Sequence, residues 1–536
     1  MTKRPYRAVI LDDVPKWRNM VAEILTENGF RVDTAASPAE LKEAMKSSFY
    51  HLFIFDKSLE EPSGSNRDGL DLLAELRKDK QLESSAVILL TAYNDTKVSR
   101  EALRGQSLSD VLDKQSFDDS EFVEQAQALL DRLPMNRSLG ITWDGSNNSA
   151  EELVANLVVG GIRAKKGSEL HKRLSEEFDD LLTRVFASAG SIIVTAIERG
   201  RSGSGVALVE PFFDDRGSGQ PVVLKFGDVK DIQMEKENYR TYVLEALRGG
   251  RHTALVYEGQ TALLGAIGYS LLEAQEFESF TTFYRRASTE EVAKSIDDLF
   301  LVTCNSWYAN MSPPRGRDLA ADYRERLGCT LENLTDALTK LKNVHGGEHL
   351  TFSSMNEPAT VKNPLRVAFK GTIASGTHEC VTHGDLNDGN IMVDQTGATW
   401  LIDFRQTEKG HVLRDFALLD VCIRCSLCGP DDATLDERLA LERAVLAARK
   451  IDSAGAVVGH LDSSNPATQK AFAASLHIRS LAAKQVHHHA SADMRDYFIA
   501  SFFYELNLIR FVYRLSTVQR EHALLAAGLT AEHLRL

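Results

Sequence analysis

Over the first 130 residues, short apolar runs of strand length alternate with stretches whose apolar residues recur at helical spacing. The runs cover residues 7–11, 51–55, 87–90 and 111–112, and the helical stretches lie near 15–28, 38–47, 68–79, 96–104 and 118–132. Such alternation predicts a five-stranded parallel sheet with helices packed on it and any site outside the carboxyl ends of the strands. Those ends carry chemistry: Asp12 and Asp13, then Asp56, then Thr91, then Lys114. Three carboxylates brought together repel one another unless a cation sits among them, and an all-oxygen set of this kind suits Mg²⁺.

The pattern then changes. Residues 134–149 are rich in Asn, Ser and Gly and read as a linker, with Ile141-Thr142-Trp143-Asp144 as a short strand docking on a neighbour. Residues 168–189 have helical period, with Leu170, Leu174, Phe178, Leu181, Leu182 and Val185 on one stripe. A strand over 191–197, a glycine-rich turn carrying Gly200, Gly203 and Gly205, and a returning strand over 206–213 follow. Glycines in such a turn let backbone N–H groups approach phosphate oxygens.

Lys225 is the one charged residue in the apolar strand Pro221-Val222-Val223-Leu224-Lys225-Phe226, and a helix over 229–248 comes next. On a wheel of about 100° per residue, Glu235 shares the face of Ile232, Tyr239, Val243 and Ala246, with Glu237 opposite. A charge on an apolar face needs a partner, and Lys225 is the natural one. Residues 261–272 read as another strand. Residues 430–536 are mainly helical, with Phe498, Phe502, Leu506 and Ile509 on one face. The boundaries that follow are 1–133, 134–188, 189–275 and 276–536.

The strongest chemical signal is His383-Gly384-Asp385-Leu386-Asn387-Asp388-Gly389-Asn390, followed by Ile402-Asp403-Phe404. Phosphoryl transfer needs divalent metal across the phosphates, an oriented hydroxyl and cationic stabilisation. Asp385 can accept the proton of the attacking hydroxyl, while Asn390 and Asp403 can ligate Mg²⁺. These motifs resemble the aminoglycoside and choline kinase branch of the protein-kinase-like superfamily. Asn387, where protein kinases usually carry Lys, leans the resemblance toward small-molecule substrates without excluding proteins. It implies a bilobal domain with a helical C-lobe and bound MgATP. Lys225 would lie on the phosphates and pair with Glu235, Gly200, Gly203 and Gly205 would cover the nucleotide, and Asp415 would buttress the catalytic loop beside His383.

The N-terminal order Asp, Asp, Asp, Thr, Lys resembles the receiver domain of two-component response regulators, a flavodoxin-like, doubly wound fold. The resemblance implies that Asp56 accepts phosphate from a histidine kinase or small phosphodonor. Mg²⁺ would be held by Asp12, Asp13, Asp56 and the Ser58 carbonyl, with Thr91 and Lys114 as the switch pair. The loop after Asp56 is longer than usual, Val111 stands where an aromatic switch residue is common, and Gln115 replaces a Pro. A receiver that signals by forming a homodimer stays open on this basis.

Composition narrows the classes. The 536 residues are 43% hydrophobic and 26% charged, enough to bury several cores, and the net charge of −14 argues against nucleic-acid binding. No leader sequence or membrane span is evident, so a bacterial cytoplasmic phosphoprotein is expected. Cys422, Cys425 and Cys428 form a Cys-x-x-Cys-x-x-Cys run, expected as one packed helix face rather than a metal site. His487-His488-His489, consecutive in a helix, cannot all reach one ion. The function expected is a multidomain α/β and α+β phosphotransferase in which phosphorylation of Asp56 gates transfer from MgATP to a hydroxyl-bearing small molecule or protein. A nucleotide-binding pseudokinase scaffold and AMP transfer to a protein are the alternatives.

Overall fold

In the computed structural model, the described residues are 3–59, 67–79, 81–91, 109–145, 148–197, 203–215, 217–244, 253–270, 277–486 and 494–536. The helix expected over 96–104, Gly200 and His487-His488-His489 lie outside them. The chain divides into two units, one of residues 1–234 with 254–271 and the other of residues 235–253 with 272–536.

The first unit begins with β1 (Arg7–Leu11), α1 (Pro15–Glu27), β2 (Arg31–Ala35), α2 (Pro38–Ser47), β3 (Leu52–Asp56) and α3 (Gly69–Lys78). It continues with β4 (Ala86–Thr91), β5 (Ser109–Asp113) and α4 (Asp119–Leu130). The strands form one parallel sheet in the order β2-β1-β3-β4-β5. Alternation at period two sends Ala8, Ile10, Leu52, Ile54, Ile88 and Leu90 to one face against α1 and α4. Val9, Leu11, Phe53, Phe55, Val87 and Leu89 go to the other, against α2 and α3. Helix starts are locally encoded: Pro15 and Pro38 open α1 and α2, and the side chains of Ser37 and Asp118 accept the N–H of Glu40 and Glu121.

Residues 134–149, expected as a linker with a short strand at Ile141-Thr142-Trp143-Asp144 docking on a neighbour, hold that strand. They contribute β6 (Gly140–Asp144), which pairs in parallel with β7 (Ser191–Ala196) at the edge of a second sheet. Ile141 and Trp143 pack on that sheet's core, and this burial overrides the polar composition of their neighbours. The helix expected over 168–189 is α5 (Glu169–Val185), started by the Ser168 side chain accepting the His171 N–H. Its apolar stripe of Leu174, Phe178, Leu181, Leu182 and Val185 is buried in the same core.

The second sheet continues through β8 (Gly205–Phe213), β9 (Val222–Asp228), β10 (Ala254–Gln260) and β11 (Leu264–Ser270), in the order β10-β11-β9-β8-β7-β6. All these pairings except β6 with β7 are antiparallel. Helix α6 (Val229–Asn238) follows β9 and carries the chain from the first unit into the second.

The second unit is mainly helical. Its elements that bear on function are α7 (Leu319–Leu327), β12 (Glu379–Thr382), β13 (Ile391–Asp394), β14 (Thr399–Leu401) and β15 (Glu408–His411). Helix α8 (Arg414–Val421) runs on into a π-helical turn at Cys422–Leu427. Helices α9 (Leu435–Ala447), α10 (Pro466–Gln485), α11 (Arg495–Leu508) and α12 (Thr517–His533) follow it in the chain. β13 and β14 form a hairpin, and β12 pairs with β15. Among the described residues, no helix is long and apolar enough to cross a membrane.

Candidate functional sites

At the carboxyl end of the first sheet, ligand oxygens of Asp12, Asp13 and Asp56 all lie within 4.8 Å of one another. Lys114, buried just past the end of β5, donates to Asp12 Oδ2 at 2.6 Å and to Asp56 Oδ2 at 2.9 Å. The donor set is three carboxylates whose ligand atoms are all hard oxygen, so the residues present fit Mg²⁺. Asp12 is fixed by the Val14 N–H on its Oδ1 at 2.9 Å. Thr91 ends β4 opposite Asp113, and Ser58 pairs with Asp68 in a short ladder beyond Asp56.

Two residues at this end escaped the sequence. The indole of Trp17 lies 5.3 Å from Lys114 Nζ and edge-on to Phe117 at 5.5 Å. Gly69 starts α3 so close to β3 that an added Cβ would stand 1.9 Å from the Asp56 carbonyl oxygen. The approach requires glycine there.

In the second unit, the loop after β12 is built by short-range bonds. The Asn387 N–H reaches the Asp385 carbonyl at 2.8 Å, the Gly389 N–H reaches Asn387 Oδ1 at 2.9 Å, and the Asn390 N–H reaches the Asn387 carbonyl at 3.1 Å. Asn390 Nδ2 donates to the carbonyl of Asp385 at 2.8 Å and to its Oδ2 at 3.3 Å. With the amide nitrogen turned to Asp385, the group Asn390 has left for a metal is its amide oxygen. The Ile402 N–H bonds the Asn390 carbonyl at 3.1 Å, which sets Asp403 next to the loop. Asp403 has φ +68°, a left-handed conformation uncommon outside glycine, and such strain concentrates at functional sites.

Asp415 and His383 hold this loop from beneath. Asp415 Oδ2 accepts the His383 N–H at 2.7 Å and the Tyr308 hydroxyl at 3.0 Å, and Oδ1 accepts the Gly384 N–H at 2.9 Å. His383 Nε2 bonds the Ile402 carbonyl at 3.0 Å. Gly384 has φ +82°, and a Cβ there would meet the Gln406 carbonyl at 2.2 Å and Arg414 Nη2 at 2.7 Å.

Lys225 belongs to the first unit, in the middle of β9 and 4% exposed; Asp385, Asn390 and Asp403 belong to the second. Glu235 is fully buried and accepts the Phe404 N–H at 3.2 Å, whereas Glu237 is exposed. Of the glycine-rich turn, Gly203 has φ +80° and its carbonyl accepts the Val158 N–H at 3.0 Å. A Cβ on Gly205 would stand 2.2 Å from the Phe226 ring. Both glycines therefore have packing reasons of their own.

The cysteine run is buried throughout. Cys425 lies near Glu442 and His522, a set with metal-ligand composition. The donors are already committed, however. Arg438 Nη1 donates to His522 Nδ1 at 3.2 Å, so Nε2 carries the proton and donates to Glu442 Oε1 at 2.8 Å. Glu442 Oε2 is paired with Arg424, and burial, with Glu442 nearby, pushes the Cys425 thiol well up. This is an ionic core network, completed by Asp420 and Glu505 on Arg424.

Residues 191–360 and 354–509, together more than half of the chain, match the ternary complex associated domain 9 model. The chain belongs to that family. The ternary complex associated domain is preceded by a second match, over residues 8–127, to the response regulator receiver domain. A receiver domain points to two-component signalling and implies a phosphodonor such as a histidine kinase.

Among curated proteins, PetR of Rhodobacter capsulatus is 27% identical over 134 residues, which are 25% of this chain and 52% of PetR. The chain thus spans about half the length of that relative. The response regulator TrrA of Thermotoga maritima, solved in complex with Mg²⁺-BeF, is 29% identical, covering 23% of this chain and 98% of TrrA with a TM-score of 0.20. The receiver domain of a Francisella response regulator is 26% identical, covering 24% of this chain and 98% of that one with a TM-score of 0.21.

Proposed function

We propose that the ternary complex associated domain of this chain is an ATP-dependent phosphotransferase gated by phosphorylation of Asp56 in the receiver. One observation carries the enzymatic half. Asp385, Asn390 and Asp403, separated in the chain, are tied together by the Asn390 amide on Asp385 and by the Ile402 N–H on the Asn390 carbonyl. A proton acceptor and two oxygen ligands so joined are what transfer from MgATP to a hydroxyl needs. Mg²⁺ bound there would neutralise phosphate charge. Asp385 would take the acceptor's proton, and Asn390 and Asp403 would hold the metal. The acceptor would be a hydroxyl-bearing small molecule or protein.

On the receiver, Asp56 would take phosphate from a histidine kinase or small phosphodonor, with Mg²⁺ held by Asp12, Asp13, Asp56 and the Ser58 carbonyl. Thr91 and Lys114 would then hold the phosphoryl oxygens. A nucleotide-binding scaffold without transfer is favoured by one observation, that Gly203 and Gly205 are accounted for by Val158 and Phe226. Incubation with γ-labelled ATP and magnesium separates the cases. Label transfer by wild type, lost in Asp385→Ala and Asp403→Ala, supports the phosphotransferase. Nucleotide binding with no turnover supports the scaffold, and pyrophosphate release in place of ADP indicates AMP transfer.

A further inference from the structure

Helix α5 presents two different faces within the first unit. Leu174, Phe178, Leu181, Leu182 and Val185 enter the core of the second sheet, whereas Arg173, Glu176, Asp180 and Arg184 meet the receiver. The receiver surface they meet is the end of its sheet opposite the phosphorylation site. Arg184 Nη1 donates to the Ser84 carbonyl at 2.9 Å, Arg7 Nη2 pairs with Glu176 at 2.6 Å, and Arg173 reaches the Met45 carbonyl.

The centre of this seam is a buried pair. His51 Nδ1 accepts the Arg7 N–H at 2.9 Å, so Nε2 carries the proton and donates to Asp180 Oδ1 at 2.8 Å. Asp180 Oδ2 accepts from Arg184 Nε at 2.7 Å. Burial raises the Asp180 carboxyl, but Arg184 and His51 outweigh it and hold the group below the usual carboxylate range. The His51 backbone is locked in the sheet on both sides, its N–H on the Arg7 carbonyl at 2.8 Å and its carbonyl accepting the Ala86 N–H at 2.7 Å. His51 therefore moves with β3, which runs directly from it to Asp56.

On its far side, α5 holds the second sheet by a polar contact too. Buried Glu177 accepts the Thr261 hydroxyl and the Leu263 N–H, both at 2.6 Å and both in the turn between β10 and β11, and its other oxygen takes Arg173 Nε at 3.2 Å. A Cβ on Gly259 would stand 2.7 Å from Val185 Cγ2, so β10 passes directly against the helix.

We propose that α5 is the receiver's output element, entered through His51 and Asp180 at the start of β3 and left through Glu177 to the β10–β11 turn. Loading Asp56 shifts β3, and a strand that carries the imidazole must move α5 with it or break the bond to Asp180. The proposal rests on Asp56 as phosphoacceptor, as in the function proposed above, but not on any ATP chemistry.

Amide hydrogen exchange of the full chain, with and without beryllofluoride plus Mg²⁺, tests it. In wild type, loading changes exchange in the receiver, in 173–185 and in 259–264 by about threefold or more. In His51→Phe, which leaves Asp180 paired with Arg184, the receiver still responds and the other two segments do not. In Glu177→Gln, α5 responds and the turn does not. A full response of α5 and the turn in both variants, or a wild-type response confined to the receiver, overturns the proposal. Failure of phosphotransfer alone would show as absent label transfer with the exchange response intact.

Discussion

Asp415 accepts the backbone N–H groups of two successive residues, His383 at 2.7 Å and Gly384 at 2.9 Å. One carboxylate thus fixes the peptide from which the Asp385 side chain springs. Replacing it by Ala strands two buried donors and the Tyr308 hydroxyl. Asp415→Ala is expected to cost about 3–5 kcal/mol in urea unfolding, and Asp415→Asn about 2, with loss of any ATP-dependent transfer in both.

Asp403 separates stability from chemistry. At φ +68°, glycine relieves a left-handed strain of about 1 kcal/mol while adding flexibility to the unfolded chain. Asp403→Gly is therefore expected to melt within a few degrees of wild type while losing the proposed transfer from MgATP. A large drop in melting temperature would show that the carboxylate is a structural support instead.

Trp17 reports on the receiver site. Its ring lies 5.3 Å from an ammonium held by Asp12 and Asp56. Metal or beryllofluoride on those carboxylates draws Lys114 to new partners and changes the indole's surroundings. Titration with Mg²⁺ and beryllofluoride should alter tryptophan emission in wild type, with the change abolished in Trp17→Phe and in Asp56→Asn.

The ionic core of the second unit has a pH signature. Burial and the nearby Glu442 raise the Glu505 carboxyl, while Arg424 and His522 outweigh burial and lower Glu442. A raised carboxyl adds stability below its unfolded value and loses that contribution as pH rises through its folded value. Stability of this unit should fall as pH rises from about 5 to about 8, and Glu505→Gln should flatten the profile. Glu442 acts in the opposite sense, with a contribution lost only under strongly acidic conditions. Arg424→Leu leaves Asp420, Glu442 and Glu505 facing one another and should cost about 3–5 kcal/mol at neutral pH.

The first sheet was legible because β1, β3, β4 and β5 each lead to a residue whose chemistry needs the others, so pattern and composition agreed, whereas β2, ending at Ala35, offers no such residue. The loop from His383 to Asn390 was legible for the same reason, and the buried face of α6 could be told from its period, with Glu235 inside and Glu237 outside. What stayed hidden depends on partners remote in the chain. Asp180 and Arg184 look like ordinary polar residues of α5 until His51 and Ser84 are set beside them. Arg424 reads as an exposed cation until Glu442 and Glu505 arrive from α9 and α11. Within residues 134–149 the short strand at Ile141-Thr142-Trp143-Asp144 was legible, but its pairing with β7 was not, because that strand begins only at Ser191.

The placement of β6 bears on how this gene can be dissected. A fragment starting at residue 150 would lack Gly140–Asp144 and expose the bare edge of Ser191–Ala196, whose unpaired backbone groups invite strand addition from another copy. A fragment meant to carry the second sheet must therefore begin before residue 140 to keep its outermost ribbon, and it would still bare the polar face of α5 that meets the receiver.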